Sequence, residues 1–315
     1  MNIKSKLGLA LVIFVAIITV LSIFMILFVP RNSFYIGPGL ARLRHTTSFN
    51  INNNTTLDMT AYSDNIYFLY GNNDELVIKE FYASSSKKAS IQHSGQTVTF
   101  RGEQQFNMMM FGAINEKIEV YLPRNFNGDI RVNISSGTIR SDINMVADSL
   151  SFESTSGTIR LNKLTANNIN VRASSGSIRI DEINGNATVR ASSGTIKINR
   201  LVGIAEVETS SGTISVMDVR GGVAAKASSG SVKVGVIELL ANISATTTSG
   251  TVTLELPRSS AFKFSADTNS GTIRTDFDNN LTFNSRKNSA SGDVGENPVY
   301  TVYAKASSGS VRVRF

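Results

Sequence analysis

A Ser-Gly pair recurs along the C-terminal part of the chain and constrains the fold more than any other feature. The pair returns every 18 to 21 residues, and a last gap of 38 residues holds a degenerate copy at Ser291–Gly292. A period of this length predicts a stack of similar coils, each contacting only its neighbours. The repeat glycines are Gly137, Gly157, Gly176, Gly194, Gly212, Gly230, Gly250, Gly271 and Gly309.

The residues around each repeat glycine keep a fixed register. Thr or Ser follows the glycine directly, Ile or Val stands two residues after it, and an apolar residue stands five before it. Alternation on both sides of the pair predicts two short strands per coil with one buried face. We expect a corner with positive φ at the glycine, and a serine that hydrogen-bonds the backbone there. The sequence therefore predicts an all-β chain folded as a single β-solenoid, parallel β-helix-like, in which Ser-Gly is scaffold.

The segment before the repeats shows the same alternation in a less regular form. Short apolar runs such as 66–70, 76–78 and 118–121 are bounded by Asn, Asp, Gly or Ser, which is typical of strands joined by turns. We interpret 48–123 as irregular coils and a cap, and 124–315 as the regular solenoid. The apolar run 108–111 is either part of that cap or a contact patch, and the need to cover a solenoid end favours the cap.

The N-terminus has the pattern of a membrane anchor. Residues 7–29 carry no charge, and a helix of that length spans a bilayer core of about 30 Å. A cleaved signal peptide is the alternative, but the apolar run exceeds the usual length of about 7–15 residues and no A-x-A-like site follows it. We therefore expect a short basic N-terminus at 1–6 on the cytoplasmic side, a transmembrane helix at 7–29, a stalk at 30–47, and the body outside the cell membrane.

Three segments resemble a known bacterial family. Residues 118–142, 252–276 and 300–315 read IEVYLPRNFNGDIRVNISSGTIRSD, VTLELPRSSAFKFSADTNSGTIRTD and YTVYAKASSGSVRVRF. The first two lead from a Leu-Pro strand into a Ser-Gly-x-Ile corner, and the third ends on the corner. They are similar to the putative-adhesin family, membrane-anchored β-solenoid domains of unknown function often encoded near envelope-stress regulators. The resemblance covers about 48–315 and implies a fold more than a function.

The sequence offers no constellation of catalytic residues. The chain has no cysteine and two separate histidines, His45 and His93, and neither has metal-ligand spacing to a neighbour. Asp142, Asp181 and Asp276 stand five residues after repeat glycines and are interpreted as turn residues, whereas a glycosidase needs two converging carboxylates. We expect no enzyme, no cofactor and no metal. A polysaccharide lyase or hydrolase is the remaining catalytic alternative.

A column of basic residues is the candidate binding site. It stands three residues after the repeat glycines, between two buried positions, so its side chains should point outward. Like charges stacked about 4.8 Å apart repel one another unless anions lie against them. A linear polyanion such as a wall teichoic acid or an acidic polysaccharide would fit. The alternative is a solvated face that neighbouring aspartates partly neutralise. The column is Arg140, Arg160, Arg179, Lys197, Lys233, Arg274 and Arg312.

Two hypotheses for function follow. The first is a non-catalytic, adhesin-like module that contacts anionic polymers of the cell envelope, in keeping with a net charge of +7. The second is a structural or regulatory accessory protein that assembles with itself or with a membrane sensor of envelope stress. Nucleic acid is disfavoured as a partner, because no aromatic residues interleave with the basic column to stack on bases.

Overall fold

The computed structural model describes residues 41–52, 54–83, 87–103 and 116–315. These ranges contain fourteen strands and one short 3₁₀ helix at Asp278–Asn280, and the all-β prediction is confirmed. The strands are β1 (Arg42–Asn50), β2 (Thr56–Ala61), β3 (Asn65–Tyr70), β4 (Glu75–Tyr82), β5 (Ser90–Ser94), β6 (Thr97–Arg101), β7 (Lys117–Leu122), β8 (Ile130–Ser229), β9 (Val232–Glu255), β10 (Phe262–Ser270), β11 (Ile273–Thr275), β12 (Thr282–Phe283), β13 (Ser289–Val294) and β14 (Tyr300–Arg314).

The long strands β8 and β9 are extended chain that winds through successive coils. β8 pairs with β9 in parallel, with Ile214 opposite Val232 and Ser229 opposite Ser249. This register places equivalent positions of neighbouring coils beside each other. The result is a solenoid-like stack in which neighbouring coils pair in parallel, with register shifts within residues 216–223.

The buried interior follows the alternation read from the sequence. Ile139, Ile159, Ile196 and Val232, each two residues after a repeat glycine, are fully buried. The column five residues before the glycine is buried as well, from Val132 through to Ala304. Apolar side chains therefore stack on one another along the axis, and outward positions lie between them.

Two physical requirements, a positive φ and close packing against the neighbouring coil, explain the glycines at the corners. Seven of the nine repeat glycines have a positive φ, but Gly157 and Gly271 do not, so the expectation of positive φ was wrong at those two positions. Crowding explains the glycine there, because a Cβ at Gly157 would overlap the carbonyl oxygen of Gly137 in the neighbouring coil. The same overlap with the adjacent glycine recurs along the rest of the column.

A second glycine corner also runs along the stack. Gly185, Gly203 and Gly221 have φ values of 135°, 129° and 142°, and each is nine residues after a glycine of the first corner. A Cβ at Gly203 or Gly221 would overlap the carbonyl of the preceding member. The central coils therefore turn on glycine twice, and the 18-residue spacing of these three glycines was the available sequence signal.

The C-terminal coil lies inside the stack instead of at its end. β14 pairs in parallel with β9, which puts Gly309 opposite Gly250, and on its other side it pairs in parallel with β10 and β11. The order of glycines along the axis is therefore Gly250, Gly309, Gly271. Gly292 is not a degenerate corner, since β13 runs antiparallel to β10 with Gly292 opposite Phe264. The long last gap contains β12 and β13, which cover the end of the stack.

The N-terminal end is built by a similar insertion. β2 and β3 form a coil that pairs in parallel with β8 on one side and with β6 and β7 on the other. Antiparallel strands complete this end, because β5 pairs with β6, β4 with β7 and β1 with β4. Residues 42–47, assigned by the sequence to the stalk, form the first part of β1.

The predicted transmembrane helix at 7–29 and the apolar run at 108–111 lie outside the described residues. Within the described ranges, the structure contains no helix of the length and apolar character needed to cross a bilayer.

Candidate functional site

The basic column forms one outward row along the stack. Arg312 stands opposite Thr253 and Arg274, Lys233 stands opposite Ser215, and Arg140 stands opposite Tyr67 of the N-terminal coil. A buried Ile or Val precedes each of the seven cations, and a buried residue follows six of them, which directs these side chains to solvent. The order along the axis is Tyr67, Arg140, Arg160, Arg179, Lys197, Ser215, Lys233, Thr253, Arg312 and Arg274.

This order divides the seven cations into groups. Arg140, Arg160, Arg179 and Lys197 occupy four consecutive coils and form the longest unbroken run. Arg312 and Arg274 form a pair near the C-terminal end, and Lys233 stands between two hydroxyl residues. We call the four-residue run the basic row.

A shallow cleft of about 330 Å³ follows the basic row. Its basic members are Arg140, Arg160 and Arg179, and its polar members include Asn162 and two aspartates. Those acidic and amide groups stand two residues after the basic ones in each strand. Side chains two residues apart point to the same side of a strand, so both columns share the outward face. The cleft is therefore mostly polar, and its three arginines exceed its two aspartates by one charge.

Acidic neighbours engage only part of the column. Arg140 Nε donates to Asp142 Oδ1 at 2.9 Å, and this hydrogen bond raises the pKa of the Arg140 guanidinium. Arg179 Nε lies 3.7 Å from Asp181 Oδ1, which is a loose contact. Lys233 Nζ pairs with Glu255 Oε1 at 2.9 Å. Exposed pairs of this kind contribute about 0–1 kcal/mol each, so they leave these cations able to exchange partners.

The remaining cations have no ion pair within the part of the chain that the structure describes. They are Arg160, Lys197, Arg274 and Arg312. Asp276 was the predicted neutralising partner of Arg274, but its Oδ2 instead accepts the backbone N–H of Phe315 at 3.2 Å. The predicted neutralisation thus applies to Arg140 and, loosely, to Arg179.

A second outward column carries mixed charges along a larger cleft of about 600 Å³. Arg172, Arg190 and Lys226 line it together with Glu208 and a ladder of serines. Arg190 contacts Glu206 at 2.8 Å and Glu208 at 3.0 Å, so carboxylates satisfy the cation at its centre. This cleft is lined by three cations and one carboxylate, and the Glu206 contact adds a second carboxylate at its centre.

Sequence reasoning missed a buried ionic cluster at the N-terminal end. Lys87 Nζ lies 2.8 Å from Asp64 Oδ1 and 2.7 Å from Glu116 Oε2, and all three side chains are at least nine-tenths buried. Glu80 is also fully buried and accepts the backbone N–H of Ala89 at 2.8 Å. Glu80 stands at a position of β4 where the alternation along the strand places a buried side chain. A glutamate at such a position was the one sequence signal for the cluster.

The environment of the cluster shifts its ionisation equilibria. Burial raises the pKa of Asp64, and the attraction of Lys87 only partly opposes that effect. For Lys87, burial acts to lower the pKa, but the combined attraction and hydrogen bonds of Asp64 and Glu116 outweigh it and raise the pKa. Burial and nearby carboxylates also raise the pKa of Tyr82, whose ring lies 4.4 Å from Lys87 Nζ.

The fold and these sites define a stacked-coil β protein with a basic row on its outward face. The chain belongs to the family described as Toastrack DUF4097, whose family model matches residues 54–314. The resemblance to bacterial putative-adhesin domains of unknown function is thereby confirmed.

Solved bacterial structures show the same kind of similarity at low identity. A putative adhesin from Bacteroides fragilis NCTC 9343 is 12% identical, with coverage of 85% of this chain and 96% of that chain and a TM-score of 0.48. A putative lipid binding protein from Parabacteroides distasonis ATCC 8503 is 13% identical, with coverage of 89% and 99% and a TM-score of 0.45. Comparison with curated protein sequences gave no match.

Proposed function

We propose that this protein is a non-catalytic binding module of the bacterial cell envelope that contacts a linear anionic polymer through the basic row. In this proposal the helix at 7–29 anchors the chain in the cell membrane, and the stack stands on the outer side. The observation that carries the proposal is the register of Arg140, Arg160, Arg179 and Lys197, one cation on each of four consecutive coils.

The spacing of the basic row supports a polymer as the ligand. Neighbouring coils of a parallel stack are about 4.8 Å apart, so the row presents cations at a regular pitch along the axis. These charges repel one another unless anions lie against them, and two of the four have no ion pair among the described residues. A chain of phosphates or carboxylates that follows the axis would meet one cation per coil, as in a wall teichoic acid or an acidic polysaccharide.

The state of the aspartates beside the row supports a non-catalytic function. Asp142 is engaged by Arg140, and Asp181 Oδ1 accepts a hydrogen bond from Asn199 Nδ2 at 2.7 Å. A general acid and a nucleophile would each need a carboxyl group free to reach a scissile bond. Asp142 and Asp181 stand in one outward column two coils apart, with Asn162 between them, so the cleft presents separate carboxylates and not a converging pair.

The second candidate is an accessory protein that assembles with itself or with a membrane sensor. Exposed apolar side chains favour it, since Ile204 and Leu240 are 57% and 51% exposed. Ile204 directly follows Gly203, and Leu240 follows Leu239, which pairs with Gly221, so both lie beside the second glycine corner. Replacing both with serine would weaken such an assembly and leave polymer binding unchanged.

Polymer binding by matched charge variants tests the first candidate. Purified full-length protein in detergent micelles is titrated with a purified teichoic acid and, separately, with a polyuronate. The double variant Arg160→Gln/Lys197→Gln should bind the ligand more weakly, on the order of tenfold, because two charge-assisted contacts are lost. The control Arg258→Gln/Arg286→Gln removes the same charge at exposed positions away from the row and should retain wild-type affinity.

The two polymers distinguish a phosphate from a carboxylate ligand. Equal losses in the test and control variants would show that net charge, and not the basic row, determines the affinity. Absence of binding to either polymer would reject the proposal and leave the accessory function as the remaining candidate.

A further inference from the structure

We propose that Lys87 and Asp64 become joined by an intramolecular amide bond after the chain folds. The bond would connect Nζ of Lys87 to Cγ of Asp64 and tie the first coil of the stack to its N-terminal cap. Asp64 lies in the turn between β2 and β3, and Lys87 lies between β4 and β5. The proposal concerns a modification of the fold and is independent of the ligand of the basic row.

The geometry places the reacting groups against each other. Lys87 Nζ lies 2.8 Å from Asp64 Oδ1, with Asp64 fully buried and Lys87 3% exposed. Asp64 Oδ2 is buried and has no hydrogen-bond partner within the described residues. Glu116 is the other carboxyl at Lys87, but its Oε1 is held by the backbone N–H of Ala83 at 3.1 Å. Asp64 is therefore the acyl partner, because it is the carboxyl with an oxygen free to leave.

The contact between Lys87 and Asp64 provides a route to the uncharged reactants. Asp64, Glu80 and Glu116 would together carry three negative charges against the single positive charge of Lys87, all in a site removed from water. These carboxylates raise the pKa of Lys87, so its ammonium is the main form, while burial raises the pKa of Asp64. Transfer of a proton from the ammonium to Asp64 across the 2.8 Å contact leaves the net charge unchanged and produces a minor form with a neutral amine and a neutral carboxylic acid. The amine is then nucleophilic and the carboxylic acid is electrophilic.

The reaction balances as a condensation. The lone pair of neutral Lys87 Nζ attacks Asp64 Cγ to form a tetrahedral intermediate. The Glu116 carboxylate, 2.7 Å from Nζ, takes a proton from the nitrogen and delivers it to the departing hydroxyl of Asp64. The Cγ–O bond breaks, one amide forms, and one water molecule leaves. Fixed proximity promotes the attack, and exclusion of water opposes the reverse hydrolysis.

The exposed pair Lys117–Glu119 is a control within the same chain. Lys117 Nζ lies 2.6 Å from Glu119 Oε1, as close as the atoms in the cluster, but the lysine side chain is 38% exposed. Water stabilises the exposed Lys117 ammonium and is available for the reverse hydrolysis, so no amide is expected. Short distance alone would predict a bond at both places, whereas the proposal predicts one at Lys87 only.

Intact mass measurement of the denatured full-length protein tests the proposal. The expected mass is lower than that of the sequence by one water molecule, and a protease digest should contain a branched peptide that joins Lys87 to Asp64. Lys87→Arg and Asp64→Ala should restore the full mass of their sequences. Asp64→Asn should lose ammonia instead of water, and Glu116→Gln should slow or abolish the loss while both reacting residues remain.

Three results would overturn the proposal. The first is a wild-type mass equal to that of the sequence, with Lys87 released by trypsin as an ordinary cleavage site. The second is a branched peptide that joins Lys87 to Glu116, which would overturn Asp64 as the acyl partner. The third is a loss of water at Lys117–Glu119 as well, which would show that burial does not select the site.

Discussion

Glycine at the coil corner is required chiefly by crowding between neighbouring coils. The carbonyl of each corner glycine points at the α-carbon of the next, so a methyl group has no space whatever the backbone dihedral. Positive φ adds a second penalty at most of these positions. The two effects together explain why the glycine column admits no substitution in this sequence even though Thr and Ser alternate in the column beside it.

Gly194→Ala should therefore destabilise the protein strongly. Its Cβ would overlap the carbonyl oxygen of Gly176 at a φ of 134°, which combines steric overlap with backbone strain. We expect the free energy of unfolding to fall by about 3 kcal/mol or more, measured by denaturant titration. Gly95→Ala is the matched control, because φ is 57° but no atom lies within 4 Å, and it should cost about 1 kcal/mol. Equal costs would show that crowding does not determine the choice.

Tyr121 should titrate well above an ordinary tyrosine. Burial, followed by its hydrogen bond to Glu119 at 2.7 Å, raises the pKa of Tyr121 from 10.0 to about 12. The folded protein therefore keeps a proton that the unfolded chain releases, so the stabilisation is complete below pH 10 and is lost as pH rises towards 12. Glu119→Gln should move the pKa back towards 10. Titration of ring-labelled tyrosines by NMR measures both values, and a wild-type pKa near 10 would contradict the assignment.

At the scale of elements, both ends of the stack are built by insertion. The first coil, β2–β3, and the last, β14, each pair with coils on both sides. The strands that pair on one side only are β1, β5, β11 and β12, of which β1 carries Arg42 and Arg44, and β11 and β12 have three and two residues. Charged and short edge strands discourage pairing with a second molecule.

Insertion predicts an unusual protection pattern for the C-terminus. Terminal segments commonly fray, but Val302, Ala304 and Val311 of β14 are fully buried between β9 and β10. Backbone amides of β14 should therefore exchange with deuterium as slowly as those of β9. Exchange in β12 and β1 should be fast. Rapid exchange throughout β14 would contradict its position in the stack.

The sequence predicted the coil but not the arrangement of coils at the ends. Spacing and alternation around Gly176 or Gly194 follow from local periodicity, which sequence patterns report directly. The contact of Gly309 with Gly250 spans 59 residues, and every coil offers nearly the same surface, so no pattern distinguishes this neighbour from another. Gly292 was misassigned for the same reason, because Ser-Gly also fits an antiparallel strand.

The basic row and the buried ionic cluster differ in how far the sequence predicts them. The basic row repeats with the coil period, so its position on one face follows from the spacing of residues in the sequence. The buried cluster has no such signal, since Asp64, Lys87 and Glu116 share no spacing and come from three separate connections. Only Glu80 gives a signal in the sequence, because it is a charged residue on the buried side of β4.

At the scale of the whole molecule, the stack displays the basic row along four consecutive coils. Every coil contributes the same outward position, and Tyr67, Ser215 and Thr253 interrupt the cations elsewhere along the stack. A stack of this kind suits a ligand that is itself repetitive. The proposed amide at Lys87 would strengthen the end of the stack nearest the predicted membrane anchor.

Co-sedimentation with purified cell walls tests the central claim most directly. The full-length protein in detergent is mixed with walls that keep their anionic polymers and with walls stripped of them, each at low and high salt. We predict retention that requires the polymers and fades with salt, because screening weakens contacts between exposed charges. Retention on stripped walls, or none on intact walls at low salt, would contradict a role of the basic row in binding anionic polymers.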